Sequence, residues 1–90
     1  MILGRVVGTV VTTIAHGFYA GKKQLLVRHC LPDGTFDGES YILALDLVGA
    51  GPDELVLVED EGNSARQLMG APDAPVRSVI AAIVDNVSVE

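Results

Sequence analysis

Residues 2–14, Ile-Leu-Gly-Arg-Val-Val-Gly-Thr-Val-Val-Thr-Thr-Ile, constrain the fold more than any other part of this chain. β-Branched side chains lose χ1 freedom in a helix and pack well on a pleated surface, so the run reads as one long strand. Period-2 alternation places Ile2, Val6, Val10 and Ile14 on one side together with Gly4 and Gly8. A strand with missing side chains on one face can bend there, or admit a neighbour close to its backbone, and both suit a small barrel.

The rest of the chain continues in short strands. Gly17 and Gly21 lie in a polar loop, after which 24–31 reads as a second strand. Pro32-Asp33-Gly34 supplies turn chemistry, and Asp37-Gly38 is expected to tighten the connection to a third strand at 40–46. Val48-Gly49-Ala50-Gly51-Pro52 forms a tight turn into a fourth strand at 54–59, which Asp60-Glu61-Gly62 ends in solvent. Ser64 is placed to cap a short helical turn through Met69. In the last segment Val76, Val79, Ile80, Ile83, Val84 and Val87 fit a helical stripe. The density of Val and Ile, without Glu, Lys or Leu to support a helix, favours a strand over 79–89 instead. The expected architecture is all-β, a five-stranded OB-like barrel with one short helix, in a single domain covering 1–90.

Ninety residues with 49% apolar side chains make a marginal monomer: a chain of this size buries only somewhat over 60% of its unfolded surface. The apolar side chains that no core of this size can hold are expected in contacts between copies, so a homo-oligomer is anticipated. A net charge of −6, with six scattered Lys and Arg of which only Lys22-Lys23 are adjacent, opposes nucleic-acid binding. The single Cys30 excludes an intramolecular disulfide, and the opening residues show neither a basic n-region nor a cleavage site, so a cytoplasmic address is expected. No apolar run approaches the roughly 20 residues that span a bilayer, so no membrane partner is expected.

The chemistry-bearing residues do not assemble into a recognisable catalytic or metal pattern. His16 and His29 lack ligand spacing, and Cys30 lies in an apolar strand with no adjoining basic cluster to activate it. Ser64 lacks a nucleophile elbow. Gly49-Ala50-Gly51 resembles the start of a dinucleotide fingerprint, but Pro52 and a strand follow where a helix N-terminus is needed. Glu59-Asp60-Glu61 lacks the ligand series of a calcium loop and reads as a solvated tip. Asp85 interrupts Ile83-Val84 and Val87, and must face solvent, pair with a donor or sit at an interface, because unpaired burial costs several kcal/mol. Catalytic, cofactor and metal sites are therefore all expected to be absent.

Leu3-Gly4-x-Val6-x-Gly8-x-Val10, then Val48-Gly49-Ala50-Gly51, Ser64-Ala65-Arg66 and Ile83-Val84-Asp85, in that order and across nearly the whole chain, resemble the EutN/CcmL family of bacterial microcompartment vertex proteins. The resemblance implies a non-catalytic role: pentamers of OB-like subunits at the five-fold vertices of polyhedral shells, whose flat facets are tiled by hexameric proteins of another fold. Hexagonal tiles cannot close without five-fold units, and a cyclic pentamer repeats one heterologous interface until the ring closes. The resemblance also implies that Gly49, Gly51, Ser64, Ala65, Arg66 and Asp85 lie at subunit boundaries. Arg66 is the foremost of these, since its planar fork can engage a carboxylate or several carbonyls at once. Three positions depart from the family's usual pattern: Asp53 for glycine, Asn63 for serine and Arg77 for aspartate. At the last, an acidic partner for Arg77 is expected, in this subunit or the next.

Two other classes compete with this reading. An OB-type module for nucleic acid or a small ligand is permitted by the fold, but Phe18, Tyr19, Phe36 and Tyr41 are the only aromatics and no basic groove accompanies them. A small enzyme would need an acid, base or nucleophile constellation that the sequence does not supply.

Overall fold

The computed structural model describes residues 1–11, 23–61 and 77–88. Five strands close a barrel in the order β1-β2-β3-β5-β4, with β1 at Ile2–Val11, β2 at Lys23–Cys30, β3 at Phe36–Asp46, β4 at Leu55–Glu59 and β5 at Val79–Ile83. All neighbours are antiparallel except β3 and β5, which meet in parallel through Leu45↔Val79 and Asp46↔Ile80. This is the expected all-β barrel. The helical turn expected at 64–69 lies outside the described residues.

Alternating side chains of the five strands fill the interior. Val6, Leu25, Val27, Val56, Val58 and Ile80 are essentially inaccessible, and each contributes roughly 1.5–3 kcal/mol through burial. Ala44 and Ala50 complete the cluster, with Ile2, Ile42 and Ile83 packed against it. Cys30 is buried and unbridged, as a small hydrophobe would be.

Gly4 does what its place in the first strand suggests. A Cβ there would overlap Val27 Cγ1 and stand 2.8 Å from the Arg28 carbonyl oxygen, so only glycine lets β2 lie this close. The alternation expected for β1 holds only as far as Val6. Val6 faces Val27 while Gly8 faces Leu26, so a bulge at Val7 reverses the facing of every later side chain. Val10, expected on the core side, is exposed in consequence.

Two other boundaries differ from expectation for reasons that lie in tertiary contacts. β3 begins at Phe36, and Asp37-Gly38 lies within the strand, not in the turn before it. Arg28↔Tyr41 and Cys30↔Phe36 are successive pairs, so β3 carries a wide bulge between them, and Arg28 Nε and Nη2 hold its Gly38 carbonyl at 3.1 and 2.7 Å. The turn itself is tied by Asp33, whose carboxylate accepts from the Thr35 backbone N–H at 2.9 Å. The last segment is a strand and not a helix, because β3 and β4 offer it partners on both sides. It ends at Ile83, short of the expected 89, with Val84 N–H donating to Leu55 O at 2.8 Å.

Gly4→Ala is expected to destabilise the fold by about 1–3 kcal/mol, the usual cost of overpacking, while Gly8→Ala, whose Cβ would meet Leu26 Cβ at an ordinary 3.5 Å, stays close to wild type. Urea unfolding of the three proteins at one protein concentration checks the contrast.

Candidate functional site

The turn between β3 and β4 is organised by one carboxylate. Asp46 closes β3, and its Oδ1 accepts the backbone N–H groups of Val48, Gly49 and Ala50 at 3.1, 3.0 and 3.2 Å. Its Oδ2 pairs with Lys23 Nζ at 3.1 Å, and Lys23 also donates to the Ala50 carbonyl at 2.8 Å. The Asp46 side chain is only 4% exposed. Burial alone would raise its pKa, but the Val48 N–H, the Lys23 ammonium and the Ala50 N–H together outweigh that and hold it below the usual carboxylate value.

Gly49 follows from this geometry. Its φ of +76° lies in the left-handed region, and a Cβ there would meet nothing within 4 Å, so the backbone conformation and not a close neighbour in this chain calls for glycine. Gly51 donates its N–H to Glu54 Oε1 at 2.6 Å. Asp53 follows at φ +64°, a conformation that glycine enters freely and Asp tolerates, which accounts physically for the departure noted at this position.

The far side of the turn reaches β1. Asp53 N–H donates to Val6 O at 3.0 Å, and Arg5 Nη1 donates to Asp53 O at 2.7 Å. Arg5 stands directly opposite Arg28 across β1 and β2, a like-charge juxtaposition that is unfavourable in itself. Each guanidinium is drawn aside: Arg5 toward Asp53 O, Arg28 toward Gly38 O, with the Phe36 and Tyr41 ring centroids 4.1 and 5.9 Å from Arg28 Cζ.

Asp85 is exposed, on the rim of a shallow cavity of about 400 Å³ lined also by Arg5, Asp33 and Leu55. Arg5 thereby links the two groups of expected interface residues that can be seen, the Gly49–Gly51 turn through Asp53 and the Asp85 rim. Ser64, Ala65 and Arg66 lie outside the described residues, as do Asn63 and His16. Arg77 pairs through Nε with Asp60 Oδ1 at 3.3 Å, so its acidic partner is in the same chain. Asp60 also accepts from Ser78 Oγ, which ties the end of β4 to the start of β5 and gives this residue of the Glu59-Asp60-Glu61 run more than a solvating role. Among the described residues no group of three or more His, Cys, Asp or Glu is arranged to hold a metal ion. No helix among them is long and apolar enough to cross a membrane.

The family described as ethanolamine utilisation protein EutN/carboxysome matches residues 1–85. The chain belongs to the EutN/CcmL family. Within EutN/CcmL it is 40% identical over 88 residues to the carboxysome shell vertex protein CcmL of Thermosynechococcus vestitus, covering 98% of this chain and 87% of that protein. It is equally 40% identical over 91 residues to the microcompartment shell vertex protein PduN of Salmonella typhimurium, covering 98% of this chain and 99% of PduN. The solved structure of GrpN, a pentameric microcompartment shell protein from Rhodospirillum rubrum, superposes with a TM-score of 0.86 at 36% identity and covers both chains completely.

The Lys23–Asp46 pair and the two arginine contacts were not anticipated for this EutN/CcmL chain. Asp46 had a local signal, an Asp followed by small residues that free its neighbours' N–H groups. Lys23 had none, because its partner lies on the neighbouring strand and far away in sequence.

Asp46→Asn keeps an acceptor at Oδ1 but loses the charge, and is expected to cost about 1 kcal/mol at neutral pH. Because the folded pKa is below the unfolded value near 3.9, the charge's contribution is complete above about pH 5, declines as pH falls past the unfolded value and is lost as pH falls through the folded value. The gap in urea midpoint between wild type and Asp46→Asn should therefore narrow on acidification. Gly49→Ala is expected to cost roughly 1–2 kcal/mol in the same assay.

Proposed function

We propose that this chain is a structural protein whose five copies close into a ring that caps a vertex of a bacterial microcompartment shell. The observation that carries this reading is the end-to-end match, in sequence and in fold, to proteins named as shell vertex components and to a shell protein described as pentameric. The physics of the chain supports it. The barrel leaves Val10, Val11, Tyr41, Leu43, Leu47 and Val48 exposed, an apolar outer surface that a subunit retains when it is completed by copies of itself.

The role is geometric and uses no cofactor. The ring meets hexameric facet proteins along its rim. Five copies of a chain of net charge −6 carry about −30, so this docking draws on complementary charge and weakens as salt screens it. Gly49, Gly51, Ser64, Ala65, Arg66 and Asp85 contribute to the boundaries between subunits, with Arg66 as the principal cross-subunit donor.

Native mass spectrometry is expected to show a species near 47 kDa, five times the 9.4 kDa chain. A monomer at micromolar concentration and physiological salt overturns the reading. Arg66→Ala should lower the fraction of protein in the ring, and light scattering that finds the ring unaltered removes Arg66 from the interface. A gel shift at low salt with single-stranded nucleic acid, expected to be negative, separates this reading from an OB-type binding module.

A further inference from the structure

A ring built from one repeated contact needs two different surfaces on every subunit, one to offer and one to receive. Apart from Val7 and Leu43, which lie in mid-strand, the exposed large apolar side chains of β1, β2 and β3 and of the segments that follow β2 and β3 form two such groups. One lies where β2 ends and β3 begins: Leu31, Phe36 and Tyr41 are all exposed, and the Arg28 guanidinium against the Phe36 and Tyr41 rings draws part of this surface together. The other surrounds the Lys23–Asp46 pair: Val10 and Val11 end β1, with Val11 opposite Lys23, and Leu47 and Val48 follow Asp46. Cys30, which pairs with Phe36, and Lys23, which pairs with Val11, are the two ends of β2. Seven residue steps at about 3.3 Å put those two strand ends roughly 23 Å apart.

The strand edges are divided in the same way. β1 pairs with β4 only through Ile2–Arg5, so among the described residues its last part, toward Val11, has β2 on one side and no strand on the other. β3 pairs with β5 only through Leu45 and Asp46, so its first part, from Phe36 to Ala44, is likewise paired on one side. One-sided edges thus coincide with the apolar groups at opposite ends of the β1-β2-β3 sheet. Unpaired edges are ready to accept another chain.

We propose that these two ends are the two halves of the ring's repeated interface: the Leu31/Phe36/Tyr41 end of one subunit seats on the Val10/Val11/Leu47/Val48 end of the next. The occupant of each surface is a second copy of this chain. The proposal rests on the ring reading given under Proposed function and adds which surfaces make the ring. The Lys23–Asp46 pair then has a second consequence, since it holds Leu47 and Val48 in place beside Val11.

Complementation of two defective variants tests it. Leu31→Glu spoils one end and Val11→Glu the other, at residues 43% and 62% exposed, and Phe36→Glu and Leu47→Glu replace them should either lack the wild-type β circular dichroism and melting behaviour. Each variant alone is expected as a 9.4 kDa monomer in native mass spectrometry. An equimolar mixture is expected to give a heterodimer near 19 kDa and nothing larger, because one intact pair of surfaces remains. A ring-forming wild type whose folded variants stay assembled, self-dimerise, or remain monomeric on mixing overturns this interface while leaving the ring standing. A monomeric wild type overturns the ring itself.

Discussion

The barrel closes at a seam where Asp46 gathers its partners. This one side chain ends β3, receives three backbone N–H groups of the following turn and binds Lys23 at the start of β2. Its own backbone stands in the short parallel pairing with β5. A parallel contact of two residue pairs is a weak seam, and it lies where Asp46 holds the turn, the β2 start and the β3 end together. The carboxylate is buried and charged at once, a combination that is tolerable only because each oxygen has donors. Gly49 and Asp53 carry the positive φ values that bring the chain back from this point to β1 and β4.

A second constraint acts on the other face of the closure. Gly4 lets β1 and β2 lie close, and the bulge at Val7 then turns the remainder of β1 over. The bulge is what sends Val10 outward and leaves an apolar strand end on the surface. In an isolated subunit that is a liability. The interface proposed above gives that strand end a partner on another copy.

How much of this was legible depends on the range of the physics involved. The β-branched run, the glycine and proline turns and the five-strand count follow from local preference, and the barrel follows from the bend that glycine permits in β1. The bulge at Val7 was not legible, since Val6-Val7-Gly8 would continue a regular strand as well as break one. Nor was the long start of β3, where Asp37-Gly38 has turn chemistry but Arg28 recruits the Gly38 carbonyl from the neighbouring strand. For the site, Gly49 and Gly51 announced a tight turn, while the Lys23–Asp46, Arg5–Asp53 and Arg77–Asp60 contacts join residues far apart in sequence.

By itself the sequence determined the class of fold, the positions of the turns, the acidic surface and the family to which the chain belongs, because each rests on residue type and near-neighbour order. Tertiary structure alone decided which face of β1 is buried beyond Val6, which carboxylate becomes the keystone of the turn and where the surplus apolar surface gathers. Those outcomes depend on register between strands, and register is settled only when every strand competes for the same interior.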